Sequence, residues 1–241
     1  MASRQGVNPL TPARRMAVLA AALLLPVIIG GAPAVAQTPQ YTPPKPTVPE
    51  IFSLEGEWVR IAYNNEGYSS LGYRYAQQQI GQEWMLLTVG ITVRKPAPSY
   101  KLVRENLSIT TPDGKRIPLA SQKDYRDANL MALNMRAQSI NDSINYYPPD
   151  ANQPCAVKFF ADPNSAFPLS YDQVELSWQR ICMGRLYFKV PGGIQAGQHF
   201  LNIKFANSEV QVPFRTLSKE DEKVFSKKWD EIRKEINASQ K

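Results

Sequence analysis

The 241-residue chain is 43% apolar, 20% charged and 10% aromatic, the composition of one ordinary globular domain. That apolar content excludes a mainly disordered chain, and only 13 glycines exclude a collagen-like one. The formal charge of +7 falls to +4 once three leader arginines are removed from the 28 basic residues and none from the 21 acids. The remaining charges interleave without a basic stripe, so nucleic acid is not an expected partner.

Residues 1–36 read as a secretory signal peptide. Arg4, Arg14 and Arg15 give a positive start, Met16 to Gly31 is apolar, and Ala34-Val35-Ala36 fits the small-residue cleavage pattern. The strongly apolar run of about 15 residues is short of the roughly 18–20 that span a bilayer, and Pro26 interrupts it. No permanent membrane anchor is therefore expected after cleavage. With no cysteine before Cys155, a lipid-modified N-terminus is excluded, and the expected location is periplasmic or extracellular. Residues 37–50 follow as a linker, with five prolines among the 13 residues from Gln37 to Pro49 that favour an extended polyproline-like conformation.

Residues 51–216 carry the strand signals. Val59, Ile61 and Tyr63 alternate with Trp58, Arg60 and Ala62, and Trp84 to Val93 is a continuous apolar run suited to a central strand. Leu107 to Thr110 and Lys115 to Leu119 flank Pro112-Asp113-Gly114, which predicts a hairpin. Further strands are predicted at Ala156 to Phe160, Val174 to Trp178, Leu186 to Val190, Phe200 to Phe205 and Val210 to Phe214. This spacing predicts an antiparallel β-sandwich. Gln122 to Ile140 interrupts it with helical periodicity through Tyr125, Ala128, Met131, Ala132, Met135 and Ser139. In the tail, residues 217–241, Ser218 is the expected N-cap of an amphipathic helix packed on or beside the domain. Its stripe of Phe225, Trp229, Ile232 and Ile236 is read as a docking face, for its own domain or for a partner.

Two cysteines, Cys155 and Cys182, in an oxidising compartment predict a structural disulfide rather than a redox or metal pair, since no C-x-x-C occurs. Closing this loop stabilises the fold by roughly 3–4 kcal/mol in the loop-entropy model. His199 is the only histidine, which excludes imidazole-pair metal sites and two-histidine catalysis. It shares its parity with Leu201, Ile203 and Phe205 and is expected to face the interior or its rim. Neither a G-x-S-x-G elbow nor a phosphate-binding glycine loop is present. The acids Glu66, Glu83, Asp124, Asp127 and Glu175 are the candidates for a carboxylate pair, but their spacing brings no two together. No catalytic residue, metal site or cofactor is assigned.

The polar stretch from Tyr63 to Trp84 is the best candidate for ligand contact. Tyr63, Tyr68, Tyr73, Tyr75 and Trp84 supply rings among amides that suit stacking on a sugar or a peptide. The competing reading is a strand in which Tyr73 and Tyr75 simply pack across a sheet.

The run Leu186-Tyr187-Phe188-Lys189-Val190-Pro191-Gly192-Gly193, through Gly197 to Val212-Pro213-Phe214, resembles the closing strands of secreted bacterial immunoglobulin-like domains, and Asp113-Gly114-Lys115 resembles an earlier hairpin turn in them. The resemblance covers residues 84–214 and implies an immunoglobulin-like sandwich, with the segment 121–150 and the C-terminal helix as departures. It carries over no site residue. Together these readings point to a non-catalytic binding or structural protein of the bacterial envelope that works through protein–protein interaction. The alternative is a carbohydrate-active hydrolase or a carbohydrate-binding module, and the expected partner is an envelope protein or a glycan.

Overall fold

The structure, a computed structural model, describes residues 51–239 except 57, 141, 162–165 and 167, with the backbone alone for 51–56, 229–230 and 232–239. The expected signal peptide and proline-rich linker lie outside the described residues. The described chain is mainly β. A six-stranded sheet runs in the order β1 (Ile51–Gly56), β2 (Val59–Tyr63), β3 (Gly67–Gly72), β4 (Trp84–Val93), β10 (Arg180–Lys189), β8 (Gln153–Val157). A four-stranded sheet is ordered β12 (Glu209–Thr216), β11 (Gly197–Lys204), β6 (Leu107–Thr110), β7 (Arg116–Pro118), and β5 (Tyr100–Val103) pairs with β9 (Gln173–Leu176). All pairings are antiparallel except β8 with β10.

The continuous apolar run of β4 places it in the middle of the larger sheet, as expected of a strand buried on both faces. On one face, Leu71, Val89, Ile91 and Leu186 join Ile109, Leu201, Ile203 and Val212 of the four-stranded sheet in a single core. The opposite face is covered by the segment that interrupts the strands. Gly90 permits this: a Cβ there would lie 2.4 Å from the Tyr147 hydroxyl. Tyr68 Oη donates to the Tyr146 carbonyl at 2.5 Å, which holds the same segment across β3.

The helical insertion is two helices, not one. α2 (Gln122–Asp127) begins on a reciprocal cap, where Ser121 Oγ accepts from Asp124 N–H at 3.0 Å and donates to Asp124 Oδ2 at 2.6 Å. Asn129 then adopts φ +44, a left-handed residue that ends the first helix before α3 (Met131–Gln138) starts. That break rotates the periodicity. Tyr125, Asn134 and Ala137 are buried, whereas the expected stripe residues Met131 and Met135 are 53% and 57% exposed.

Other boundaries differ for identifiable reasons. Tyr73 to Gln79 is not a strand: α1 (Arg74–Gln78) occupies it. β8 starts at Gln153 rather than Ala156, because an edge position tolerates Pro154. β10 starts at Arg180, ahead of the predicted Leu186, with Cys182 in its first half. The Pro112-Asp113-Gly114 hairpin forms as expected, with Gly114 at φ +82 and its N–H bonded to the Thr111 carbonyl at 2.9 Å.

Cys155 and Cys182 are disulfide-bonded and directly paired in the β8–β10 ladder. The bridge therefore joins neighbours within one sheet, unlike the inter-sheet bridge of antibody domains. At the C-terminus, α4 (Lys219–Ser239) is capped by Ser218 Oγ, which accepts from Asp221 N–H at 3.0 Å. Residues 219–228 are all exposed, Phe225 at 37% among them. The side chains of Trp229, Ile232 and Ile236 lie outside the described residues. No helix among the described residues is long and apolar enough to cross a membrane.

Candidate functional site

The α2–α3 insertion, the α1–β4 turn and the end of β10 enclose a polar cleft of about 870 Å³. Local bonding explains why these segments meet. The turn between α1 and β4 is stitched to the loop after β10: Gly81 N–H donates to the Ile194 carbonyl at 2.8 Å, Ile194 N–H to Gln82 at 2.9 Å, and Val190 N–H to Glu83 at 2.7 Å. Gln79 Oε1 accepts from Leu86 N–H at 3.2 Å and fixes the entry to β4. Tyr75 Oη donates to the Leu133 carbonyl at 3.1 Å, joining α1 to α3. Burial pushes the Tyr75 phenol up, against the pull of Arg136 and Arg185.

A buried network anchors α3 to the sheet beneath. Tyr187 Oη donates to Asn134 Oδ1 at 2.5 Å, and Asn134 Nδ2 donates to the Tyr125 hydroxyl at 3.2 Å. The Tyr125 and Tyr187 rings stand edge to face at 4.8 Å, each also against Phe160. Arg185 reaches the Ala137 carbonyl at 3.3 Å. Burial is the main reason the Tyr187 phenol is pushed well above its ordinary range.

The cleft wall carries charge of both signs. Glu83, Asp124 and Asp127 line it together with Lys123, Arg136 and Lys189. Lys189 Nζ stands 4.0 Å from Glu83 Oε1. The Asp124 carboxyl is held below the usual range, chiefly by the Ser121 hydroxyl and further by Lys189 and Lys123. An acid that protonates a leaving group must instead be kept neutral by its surroundings. Asp142, whose carboxyl burial pushes up, is not in this cleft: it is paired with Arg74 Nε at 3.3 Å and packs against Gly72.

The structure separates the five aromatic candidates. Tyr75 and Trp84 line the cleft. Tyr73 is 2% exposed, with its ring edge-on to Trp58 and tilted against Phe214, each at 5.5 Å, and the Arg60 guanidinium 5.0 Å away. Tyr68 is buried and stacks on Tyr63 at 5.7 Å, which in turn lies under the Arg94 guanidinium at 4.7 Å. Those three rings lie outside the cleft lining. Of the five acids, Glu83, Asp124 and Asp127 are brought to one cleft, which their spacing did not reveal. Glu66 is instead bonded to Asn207 and Ser208 in the β11–β12 turn, and Glu175 faces Arg180 at 3.5 Å. His199 is fully buried.

Lys189, Arg136, Gln82 and Asn129 are wall residues that sequence reasoning missed. Only Asn129 carried a local signal, as an asparagine suited to a left-handed break. Among the described residues, no three His, Cys, Asp or Glu side chains come together as a metal site. Scans against family models, curated proteins and solved structures found no match to this chain.

Proposed function

We propose that this chain is an exported, non-catalytic binding protein of the bacterial envelope, built as an immunoglobulin-like sandwich, that holds another envelope component in the cleft between α1 and the α2–α3 insertion. The cleft is the observation that carries the reading: about 870 Å³ lies within the range of sites that hold small ligands. The disulfide fits an oxidising compartment, and the leader read in residues 1–36 supplies the route. The immunoglobulin-like part of the proposal rests on the closing strands β10 to β12. The in-sheet bridge and the consecutive order of β1 to β4 are departures from that pattern.

The purified chain is expected to be retained by a fractionated envelope preparation. Replacing Trp84 by Ala should reduce that retention while the β-rich circular dichroism spectrum stays unchanged. Equal retention of Trp84→Ala and of Gln82→Ala, both folded, would remove the cleft from the account. A carbohydrate-binding reading is favoured over a protein partner by one feature, the Trp84 ring set among primary amides.

A further inference from the structure

Resting on that cleft reading, we infer the class of ligand: an uncharged oligosaccharide, recognised by a wall whose charges cancel and whose amides are left over. Three carboxylates, Glu83, Asp124 and Asp127, stand against three cations, Lys123, Arg136 and Lys189. A site for phosphate or nucleic acid carries an excess of positive charge, and a site for a basic peptide an excess of negative charge. This wall has neither. The cancellation is also local, since Lys189 faces both Glu83 and Asp124.

What remains after cancellation is hydrogen-bonding capacity. Gln78, Gln82 and Asn129 each present an amide with two N–H donors and a carbonyl acceptor. Their side chains make no hydrogen bond among the described residues, and all three are exposed to the cleft mouth. By contrast, Gln79 spends its amide oxygen on Leu86, and Gln77 spends both ends on Leu217, at 2.9 and 2.7 Å. Of the four glutamines at the α1–β4 turn, the fold uses Gln77 and Gln79 as fasteners and leaves Gln78 and Gln82 in the cleft, where Asn129 of the α2–α3 break joins them. Adjacent hydroxyls on a sugar ring both donate and accept, so they engage both halves of an amide and both oxygens of a carboxylate. A peptide backbone offers fewer such pairs, and a lipid chain none.

Trp84 supplies the apolar complement. Its ring is half-buried against the core, which fixes it, and the exposed remainder faces the cleft. An aromatic face held in this way covers the C–H face of a sugar while its neighbours bond the hydroxyls. A cleft near the upper end of the usual ligand range takes several sugar units rather than one.

The test is a titration of the full chain, purified from an exporting host. The probes are uncharged α- and β-linked hexose hexamers and an N-acetylhexosamine hexamer, with an oligouronate and a mixed peptide pool as controls. Tryptophan fluorescence and heat are followed together. At least one uncharged hexamer should saturate, with little dependence on salt because no counterions are released. Gln82→Ala and Asp127→Ala, both at exposed positions, should keep the thermal midpoint and weaken binding about three- to thirtyfold each. Trp84→Ala should lose the fluorescence response. The inference is overturned if no uncharged hexamer saturates, or if one saturates equally with Gln82→Ala and Asp127→Ala. Saturation by the uronate or the peptides alone, weakened by those substitutions, overturns the ligand class but leaves the cleft reading standing. Envelope retention insensitive to every cleft substitution sinks the cleft reading itself.

Discussion

His199 donates from Nδ1 to the Gly197 carbonyl at 3.1 Å and stacks on Phe214 at 5.2 Å, while its Nε2 has no hydrogen-bond partner among the described residues. Burial lowers its pKa from 6.5 to about 4, only partly opposed by the Gly197 carbonyl and the Asp113 charge. Between those two values the unfolded chain takes up a proton that the folded chain refuses. The stability that the neutral ring contributes is thus complete above pH 6.5 and is lost as pH falls toward 4, by roughly 3 kcal/mol in total. Asp113, lowered to about 2 by Lys115 and Thr111, loses its own contribution only at lower pH. Asp142 is raised and so acts in the opposite direction on acidification. Urea melts of the wild type and of His199→Gln at pH 7.5 and 4.5 separate these effects. The wild type should lose the larger stability on acidification, and equal losses would show that His199 does not titrate as described.

Among elements, the Tyr187 phenol is one of the anchors of α3, beside Tyr75 and Arg185. Tyr187→Phe removes the hydroxyl that satisfies Asn134 and leaves a buried amide oxygen unpaired, at a cost of about 1–3 kcal/mol. For a domain of this size each kcal/mol moves the thermal midpoint by roughly 2–4 °C. Faster amide exchange confined to α2–α3, with weaker ligand binding, should accompany the loss. Unchanged exchange in α3 would mean the network does not hold it. The sheet edges carry a second device. Leu119 N–H bonds the Leu107 carbonyl and Thr111 N–H bonds Lys115, so residues 115, 117 and 119 face β6, and Pro118 takes an outward position where no N–H is offered. The same alternation turns Pro213 outward on β12. Pro213→Val should restore an outward donor and raise self-association in light scattering, with little change in the thermal midpoint.

The elements also show what was readable in the chain. β4, the Pro-Asp-Gly hairpin, the β11–β12 hairpin and the capped α4 were legible because each depends on local periodicity and turn chemistry. β3 was not: Gly67-Tyr68-Ser69-Ser70-Leu71-Gly72 lacks apolar alternation, and it is a strand because β2 and β4 flank it. The phase of the insertion failed for one reason, the left-handed Asn129, which turned Met131 and Met135 outward. The cleft was half legible. Tyr75, Trp84 and the acids were each named, but Asp124, Asp127 and Lys189 lie far along the chain from Glu83 and Trp84, and their meeting in one cleft, held by the turn-to-loop bonds around Gly81 and Ile194, is not written in any local spacing.

For the whole molecule, the disulfide and the cleft sit at opposite ends of β10, Cys182 in its first half and Lys189 as its last residue. They should therefore be separable. Cys182→Ser should lower the thermal midpoint by on the order of 10 °C, from roughly 3–4 kcal/mol of lost loop constraint. Below its melting point it should bind as the wild type does. A variant that melts unchanged would deny the bridge its structural role. The cleft claim is tested most directly by amide hydrogen exchange of the chain, free and bound to the envelope fraction that retains it. The account predicts new protection in residues 78–84 and 123–136, around the cleft mouth. Protection confined to α4 or to the β7 edge, with those two segments unchanged, would contradict it.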